Sequence, residues 1–157
     1  RLVTSGGMVQ DAAVVNMRTS GVVHPGEVVE FSQTAGQGVF PASMNSTITN
    51  IFGVCLDYAQ GASDREVHVI PFAPGQIWEA DCTQAALTAQ IGLRMGLSQT
   101  RGDKCVYNTS TDATTATAIF RAIAMVGSTS GSGKLLGVFR AGYLVTPNVY
   151  SGNDINW

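Results

Sequence analysis

The stretch from Ala118 to Phe139, AIFRAIAMVGSTSGSGKLLGVF, indicates the fold of this chain most directly. Ala118 to Val126 is strongly apolar, and a loop of Gly, Ser and Thr at Gly127 to Gly133 separates it from the apolar segment Leu135 to Phe139. Two such runs separated by turn-forming residues are typical of a β-hairpin. The sequence therefore predicts two antiparallel strands in this stretch.

Two further hairpins are predicted upstream of this stretch. Ile51 to Tyr58 and Glu66 to Phe72 are rich in β-branched and aromatic residues and flank a Gly-containing turn. Ile91 to Leu97 and Lys104 to Tyr107 flank a second turn-like segment, and glycines inside the first of these runs indicate a bulge or a close backbone approach. Each pair is expected to form antiparallel strands.

Two Pro-Gly turns each precede a predicted strand. His24-Pro25-Gly26-Glu27 and Ala73-Pro74-Gly75-Gln76 place Pro and Gly at the central positions, as a type II turn prefers because Gly accepts a positive φ. The following segments, PGEVVE and PGQIWE, are similar over only about six residues, whereas repeat architectures need several copies. We interpret the similarity as shared turn chemistry rather than as an internal repeat.

One segment has helical character. Thr83 to Ala89 contains Ala, Leu and Gln after Asp81, whose carboxylate is a candidate N-cap, and it predicts at most two helical turns. The remainder consists of short predicted strands separated by turns. This pattern is typical of an all-β barrel or sandwich.

The composition limits the class of protein. A chain of 157 residues has the length of one domain, and its 13% of charged residues is about half of the ~25% that soluble domains carry. Such a neutral surface suits a protein that packs against others. The net charge of −2 without a basic cluster argues against nucleic acid as a main partner, and no apolar run approaches the ~20 residues of a membrane span.

No metal or cofactor is expected from the sequence. Cys55, Cys82 and Cys105 lack C-x-x-C spacing, and His24 and His68 have no second ligand at a metal-binding spacing. The first ten residues carry no apolar core with a cleavage site, so no signal peptide is expected. Buried free thiols in a reducing cytoplasm are the favoured interpretation.

A phosphate-binding loop is also rejected. Gly127 to Lys134 resembles the pattern G-x-x-x-x-G-K-[ST], but Ser128 stands where the first Gly is required. Leu135 stands where the pattern requires a hydroxyl that binds Mg²⁺. A flexible Gly/Ser loop is the simpler interpretation.

A catalytic group could form only if residues that are distant in the sequence meet in the folded chain. Cys55 and His68 would need to meet Asp57 or Asp81, and Glu79 with Asp81 would form a carboxylate pair on one strand face. The sequence contains no motif that favours either grouping. We expect a protein that is not an enzyme.

The two ends of the chain differ from its centre. Arg1 to Arg18 is weakly periodic and predicts an extended arm or edge strand, with core strands beginning after it. Tyr143 to Trp157 has dispersed apolar and aromatic residues that fit neither a helix nor a strand, so the segment is expected to dock, either on its own domain or on a neighbouring subunit. The expected organisation is an N-terminal arm over 1–18, a β domain over 19–142 and a C-terminal arm over 143–157.

A family resemblance rests on six segments in order: GVVHPGEVVEF, FGVCLDYA, EVHVIPFAPGQIWEAD, IGLRMGL, IFRAIAMVGS and KLLGVF. Between Gly21 and Phe139 the chain resembles the small decoration, or cement, proteins of tailed-bacteriophage heads. The resemblance implies an all-β fold, a small barrel or β-tulip-like domain with at most one short helix and extended N- and C-terminal arms. No single motif in these segments is diagnostic by itself.

The resemblance also implies a function. It implies a structural protein of the virion that binds the major capsid protein lattice on the outer surface of the head and stabilises it, often as a trimer. It supplies no catalytic, cofactor or metal residues. The implied capsid- or subunit-binding residues lie in the two arms: Leu2, Val3, Met8, Val9, Tyr143, Leu144, Val149, Tyr150, Ile155 and Trp157.

The main alternative is a carbohydrate- or host-binding β-module of a virion fibre or tail accessory protein, since exposed aromatic side chains can stack on sugars. A hydrolytic enzyme would require His68 to lie in a cleft beside Cys55 or a carboxylate.

Overall fold

The computed structural model describes residues 2–3, 15–19, 21–32, 38–60, 65–73, 75–98, 105–107, 112–113, 116–127 and 133–140. Within these residues the chain is all-β, with one turn of 3-10 helix at Thr88–Gln90. The strands are β1 (Leu2–Val3), β2 (Val15–Thr19), β3 (Val28–Phe31), β4 (Val39–Pro41), β5 (Ile51–Cys55), β6 (Arg65–Pro71), β7 (Ile77–Cys82), β8 (Arg94–Leu97), β9 (Cys105–Tyr107), β10 (Phe120–Val126) and β11 (Lys134–Phe139).

The first half of the chain forms a closed barrel, which we call the first barrel, with strand order β2-β4-β3-β5-β6. Strands β3, β5 and β6 are antiparallel neighbours, and β6 also pairs with β2, where Val67 lies opposite Met17. A parallel contact between Thr19 and Val39 joins β2 to β4 and closes the ring. Closure removes the exposed edges that an open sheet of this size would present.

The second half of the chain, joined by β1 from the N-terminal end, forms a sheet with strand order β1-β7-β11-β10-β8-β9, which we call the second sheet. Strand β9 returns to pair with β7 in parallel, with Asp81 opposite Cys105, so the sheet curls round on itself. The prediction of an all-β, barrel-like fold is therefore confirmed. No helix in the part of the chain described here has the length and apolar character to cross a bilayer.

All three predicted hairpins are present. Strands β5 and β6 pair antiparallel through Val54 and Ile70, and β8 pairs with β9 through Gly96 and Tyr107. The hairpin in the opening stretch is formed by β10 and β11, whose register shifts between Ala122 and Ala124. This irregularity in β10 is not among the features predicted from the sequence.

The two Pro-Gly turns are also confirmed. Gly26 has φ of 86° and Gly75 has φ of 82°, the left-handed region that a type II turn demands at this position. The amide of Glu27 donates to the carbonyl of His24 at 3.2 Å, which closes the first turn. An amide-to-carbonyl bond of 3.3 Å from Gln76 to Ala73 closes the second.

The predicted helix over Thr83 to Ala89 is wrong. Leu87 is extended, with φ of −125° and ψ of 146°, and only Thr88–Gln90 makes a helical turn. The side chain of Gln90 accepts a hydrogen bond from the Leu87 amide at 2.8 Å, while Ala86 is completely buried in the core. Burial of Ala86 and local capping therefore outweigh the helix propensity of this short segment.

The predicted N-terminal arm requires a second correction. Val15–Thr19 is a strand of the closed barrel, so the core strands begin before Arg18 and not after it. Leu2–Val3 forms an edge strand of the second sheet, which agrees with the edge-strand alternative, and it pairs antiparallel with β7. Residues 4–14 and the whole segment 141–157 lie outside the described residues.

The strand predicted over Ile91 to Leu97 is shorter than expected. It begins at Arg94, because Gly92 has φ of 90° and turns the chain. The expected close approach holds at Gly96, where an added Cβ would lie 3.2 Å from the carbonyl oxygen of Thr117.

Two apolar clusters fill the fold, one larger than the other. The larger cluster contains Phe72, Trp78 and Phe120 and also includes Ile51 and Val54 of the first barrel. The smaller cluster lies within the first barrel and consists of Val23, Val29, Val39, Cys55, Ala59, Val67 and Val69. Because the larger cluster draws side chains from both sheets, the two halves share a core.

Candidate functional site

An exposed face of the first barrel begins at a short bridge between two loops. The amides and carbonyls of Val23 and Ala59 are reciprocally hydrogen-bonded, each at 3.0 Å, and both side chains are buried. In such an antiparallel bridge the flanking residues point the opposite way. His24 and Tyr58 accordingly meet outside the barrel, with ring centroids 5.2 Å apart.

Apolar side chains continue this surface. Val22, Leu56 and Tyr58 are exposed by 44%, 42% and 55%. Val22 precedes the bridge residue Val23, and Leu56 lies two residues before Tyr58, so both flank the His24–Tyr58 contact along the chain. We call Val22, His24, Leu56 and Tyr58 the Tyr58 face. Asp57 and His68 border it. Large exposed apolar side chains close together are typical of a binding surface, whereas single ones are common on any protein.

A buried carboxylate holds the loop that carries His24. Glu27 is 1% exposed, and its Oε2 accepts a hydrogen bond from the His24 amide at 2.7 Å. The same oxygen lies 3.5 Å from Nδ1 of His24. The other oxygen, Oε1, is buried and has no hydrogen-bond partner among the described residues. This side chain fixes the turn at the expense of an unpaired buried oxygen.

Asp57 and His68 form a close pair. The carboxylate Oδ2 of Asp57 accepts the backbone N–H of His68 at 2.6 Å, and Nδ1 of His68 lies 2.7 Å from the same oxygen. The backbone N–H and the imidazole of His68 hold the pKa of Asp57 below its ordinary value. Both side chains are exposed on the outer surface of the barrel.

The structure brings His68 to a carboxylate but not to the Cys55 thiol. Cys55 lies opposite Val69, and both are buried, so the alternation along β6 directs His68 to the other side of the wall. Burial raises the pKa of the Cys55 thiol, and nearby carboxylates raise it further, which opposes the thiolate that a nucleophile requires. No described hydroxyl or thiol hydrogen-bonds to the His68 ring.

The candidate carboxylate pair of the second sheet is engaged in ion pairing. Nζ of Lys134 lies 2.9 Å from Glu79 and 3.5 Å from Asp81. These contacts raise the pKa of Lys134, with the Glu79 hydrogen bond as the largest cause. Asp81 of the second sheet is thus paired with Lys134, whereas the carboxylate beside His68 of the first barrel is that of Asp57. The pair serves as an ion-pair network linking β7 and β11.

Metal ligands are not grouped within the described ranges, where no cluster of three or more His, Cys, Asp or Glu side chains occurs. Of the predicted arm residues, Leu2 and Val3 lie in β1, with Leu2 opposite Trp78 and Val3 opposite Ile77. The remaining predicted binding residues lie outside the described residues: Met8, Val9, Tyr143, Leu144, Val149, Tyr150, Ile155 and Trp157.

Sequence reasoning missed the Tyr58 face. Leu56 and Tyr58 fall at the end of a predicted strand, where an apolar residue is ordinarily assigned to the core. One signal was present, because Leu56 adjoins Cys55 and Tyr58 adjoins Ala59, and neighbouring side chains along an extended chain point to opposite faces. The side chain of Asp57 between them is also exposed, so the segment does not alternate throughout.

The sequence was compared with known proteins. No protein-family model matches this chain, and no curated protein matches it.

Proposed function

We propose that this chain is a structural virion protein that decorates a bacteriophage head, binding the major capsid protein lattice from outside and stabilising it. The exposed apolar Tyr58 face, on a closed barrel in a chain with only 13% charged residues, is the observation that supports a binding role. Low charge and local apolar exposure favour permanent packing against a protein surface. The family resemblance supplies the identity of that surface.

Such a protein acts by binding and catalyses no reaction. It binds the assembled lattice in preference to free capsid subunits, and its binding free energy then stabilises the assembled state by mass action. Many copies, or a homotrimer that engages several lattice sites together, gain further through multivalency. The outer surface of the virion is the corresponding location, with no nucleic acid or membrane as a partner.

The terminal arms belong to the same proposal. The dispersed apolar residues of the C-terminal segment supply candidate anchors, Tyr150 and Trp157 among them. An arm that adds as a strand to a neighbouring sheet edge would gain main-chain hydrogen bonds. Deleting residues 143–157 should weaken binding to heads while the β domain stays folded, and unchanged affinity would remove the arm from the proposal.

The decisive experiment is reconstitution on particles. Purified protein is added to heads of the parent phage that lack it, and co-sedimentation with cryo-electron microscopy measures binding and position. Saturation at hundreds of regularly placed copies on the shell is the expected result. No binding to intact heads would contradict the proposal.

A second candidate is a carbohydrate- or host-binding module, which the exposed Tyr58 ring beside His24 favours. Copy number separates the two candidates. A few copies located at a fibre or tail, together with binding to a host glycan, would favour the module.

A further inference from the structure

We propose that the Tyr58 face is the surface that seats on the shell, and that its occupant is a protein surface presenting apolar side chains beside a Lys or Arg. This inference rests on the proposed function, and it adds the contact surface and the chemistry of the partner. Apolar area left in water is unfavourable by ~25 cal/mol per Å². Covering Val22, Leu56 and Tyr58 therefore supplies a driving force for association.

The face is held rigid before it binds. The Pro25-Gly26 turn is closed by backbone hydrogen bonds, and the amide of Gly26 also donates to the carbonyl of Cys55 at 2.8 Å. Glu27 then fixes His24, which contacts the ring of Tyr58. A preorganised surface loses less conformational entropy on binding, as required of a protein that must recognise a fixed lattice.

Polar groups around the face favour a protein over a sugar as the occupant. The hydroxyl of Tyr58 hydrogen-bonds to Oε1 of Gln60 at 2.7 Å, and Oδ2 of Asp57 is already used by His68. A saccharide needs several free donors and acceptors around the stacking ring, whereas the Tyr58 hydroxyl and Oδ2 of Asp57 are already engaged within the chain. What the face offers instead is apolar area with a polar rim, the typical anatomy of a protein interface.

Charge specifies the partner further. The lowered pKa of Asp57 keeps this carboxylate ionised at neutral pH, and its Oδ1 has no hydrogen-bond partner among the described residues. A negative group at the border of an apolar surface is complemented by a cationic side chain on the partner. Arg is favoured because its planar group matches a carboxylate and packs against an aromatic ring.

Paired variants test the assignment. Leu56→Ala/Tyr58→Ala removes the apolar part of the face, and Leu87→Ala/Ile91→Ala is a matched control, since both of these residues are 45% exposed near the second sheet. Affinity for heads lacking the protein should fall roughly tenfold or more for the first variant, as for truncation of interface anchors, and change less than about twofold for the control. Thermal melting checks that both variants fold.

Charge variants test the partner chemistry without touching the apolar side chains. Asp57→Lys should weaken head binding more than Asp57→Asn, because it adds repulsion as well as removing attraction. If the double variant fails to fold, Tyr58→Ser alone replaces it in the same assay. Increasing salt should reduce the difference between wild type and Asp57→Asn.

Each outcome has one reading. A folded Leu56→Ala/Tyr58→Ala variant that binds heads like wild type overturns the inference and leaves head decoration standing, and equal loss in the control variant also overturns it. If wild type binds no heads, the proposed function fails and the inference fails with it. Glycan binding that depends on Tyr58, with head binding unchanged, assigns the face to a saccharide instead.

Discussion

The first barrel and the second sheet are filled by different side chains. The buried residues of the cluster within the first barrel are Val, Ala and Cys, with Phe31 and Phe52 partly buried against them, whereas the larger cluster buries Trp78, Phe72 and Phe120. In the larger cluster the ring of Phe72, which follows β6, stacks on Phe139 of β11 with centroids 4.3 Å apart, and Trp78 of β7 meets Phe72 edge-on at 5.4 Å. The buried interior of the first barrel therefore holds small side chains, while the cluster shared by the two sheets is aromatic.

This difference assigns most of the stability to the second sheet and the exposed binding surface to the first barrel. Aromatic burial makes the second sheet the main source of hydrophobic stabilisation. The cluster within the first barrel is made of smaller buried side chains, and the barrel contains Glu27 with an unpaired oxygen, yet it carries the exposed Tyr58 face. We therefore expect mutations in the second sheet to act on folding, and mutations on the first barrel surface to act on binding.

Trp78→Ala should produce the largest loss of stability. Trp78 is 2% exposed within the shared cluster, and truncating a buried Trp costs about 3–5 kcal/mol. Ile51 and Val54 of the first barrel belong to the same cluster, so both halves should unfold in one transition at lower denaturant concentration. Chemical denaturation followed by circular dichroism measures this.

A surface substitution on the second sheet serves as the control. Ile123→Ala, at a position 44% exposed, should change the free energy of unfolding by less than about 0.5 kcal/mol. Two separate unfolding transitions in Trp78→Ala would show that the halves fold independently and would contradict the shared core.

Gly53→Ala, in the first barrel, should produce the next largest loss of stability. An added Cβ would lie too close to the carbonyl oxygen of Ile70, and because that atom is backbone, the β5–β6 pairing must shift. Such overpacking costs about 1–3 kcal/mol. Gly21→Ala is the matched control, since its Cβ would meet only Pro41 at an ordinary 3.5 Å. Equal stabilities of the two variants would contradict the close approach.

Local features of the fold were predictable from the sequence. The β10–β11 hairpin and the turns at Gly26 and Gly75 depend on short stretches whose turn chemistry is explicit. Ring closure was not predictable, because β2 meets β6 and β7 meets β9 across long separations without any motif. The failed helix over Thr83 to Ala89 has the same origin, since burial of Ala86 is a tertiary effect.

The candidate site was less predictable than the fold. Sequence reasoning considered His68 with Asp57 and Cys55 together, and only Asp57 proved to be its neighbour, because strand alternation sends Cys55 to the interior. Exposure of Tyr58 depends on which residues cover it in three dimensions. Apolar residue type alone does not encode that information.

Asp57→Asn and Asp112→Asn should produce the smallest effects on stability and the sharpest comparison between the two regions. Hydrogen bonds from Arg94 hold the pKa of Asp112 below its ordinary value, as His68 does for Asp57. A folded-state pKa below the unfolded value gives stability that is present above the unfolded pKa and lost as the pH falls through the folded one. Because both pairs are exposed, each contributes less than about 1 kcal/mol.

Urea denaturation at pH 7 and at several values below pH 4 measures this contribution. The stability difference between wild type and each Asn variant should shrink toward zero as the pH falls. Lys134→Gln is the control of opposite sign, because the raised pKa of Lys134 gives stability that is present below its unfolded pKa and lost at higher alkaline pH. A difference that persists in acid would contradict the ionic origin of the Asp57 and Asp112 contributions.

The two Asp variants should separate in head binding even though they match in stability. Asp57 borders the Tyr58 face on the first barrel, whereas Asp112 pairs with Arg94 at the second sheet. If the surface that binds heads lies on the first barrel alone, only Asp57→Asn weakens binding, and Asp112→Asn binds as wild type does. Equal weakening by both would mean that contact with the shell extends over both halves, because a stability loss this small leaves nearly all of the protein folded at neutral pH.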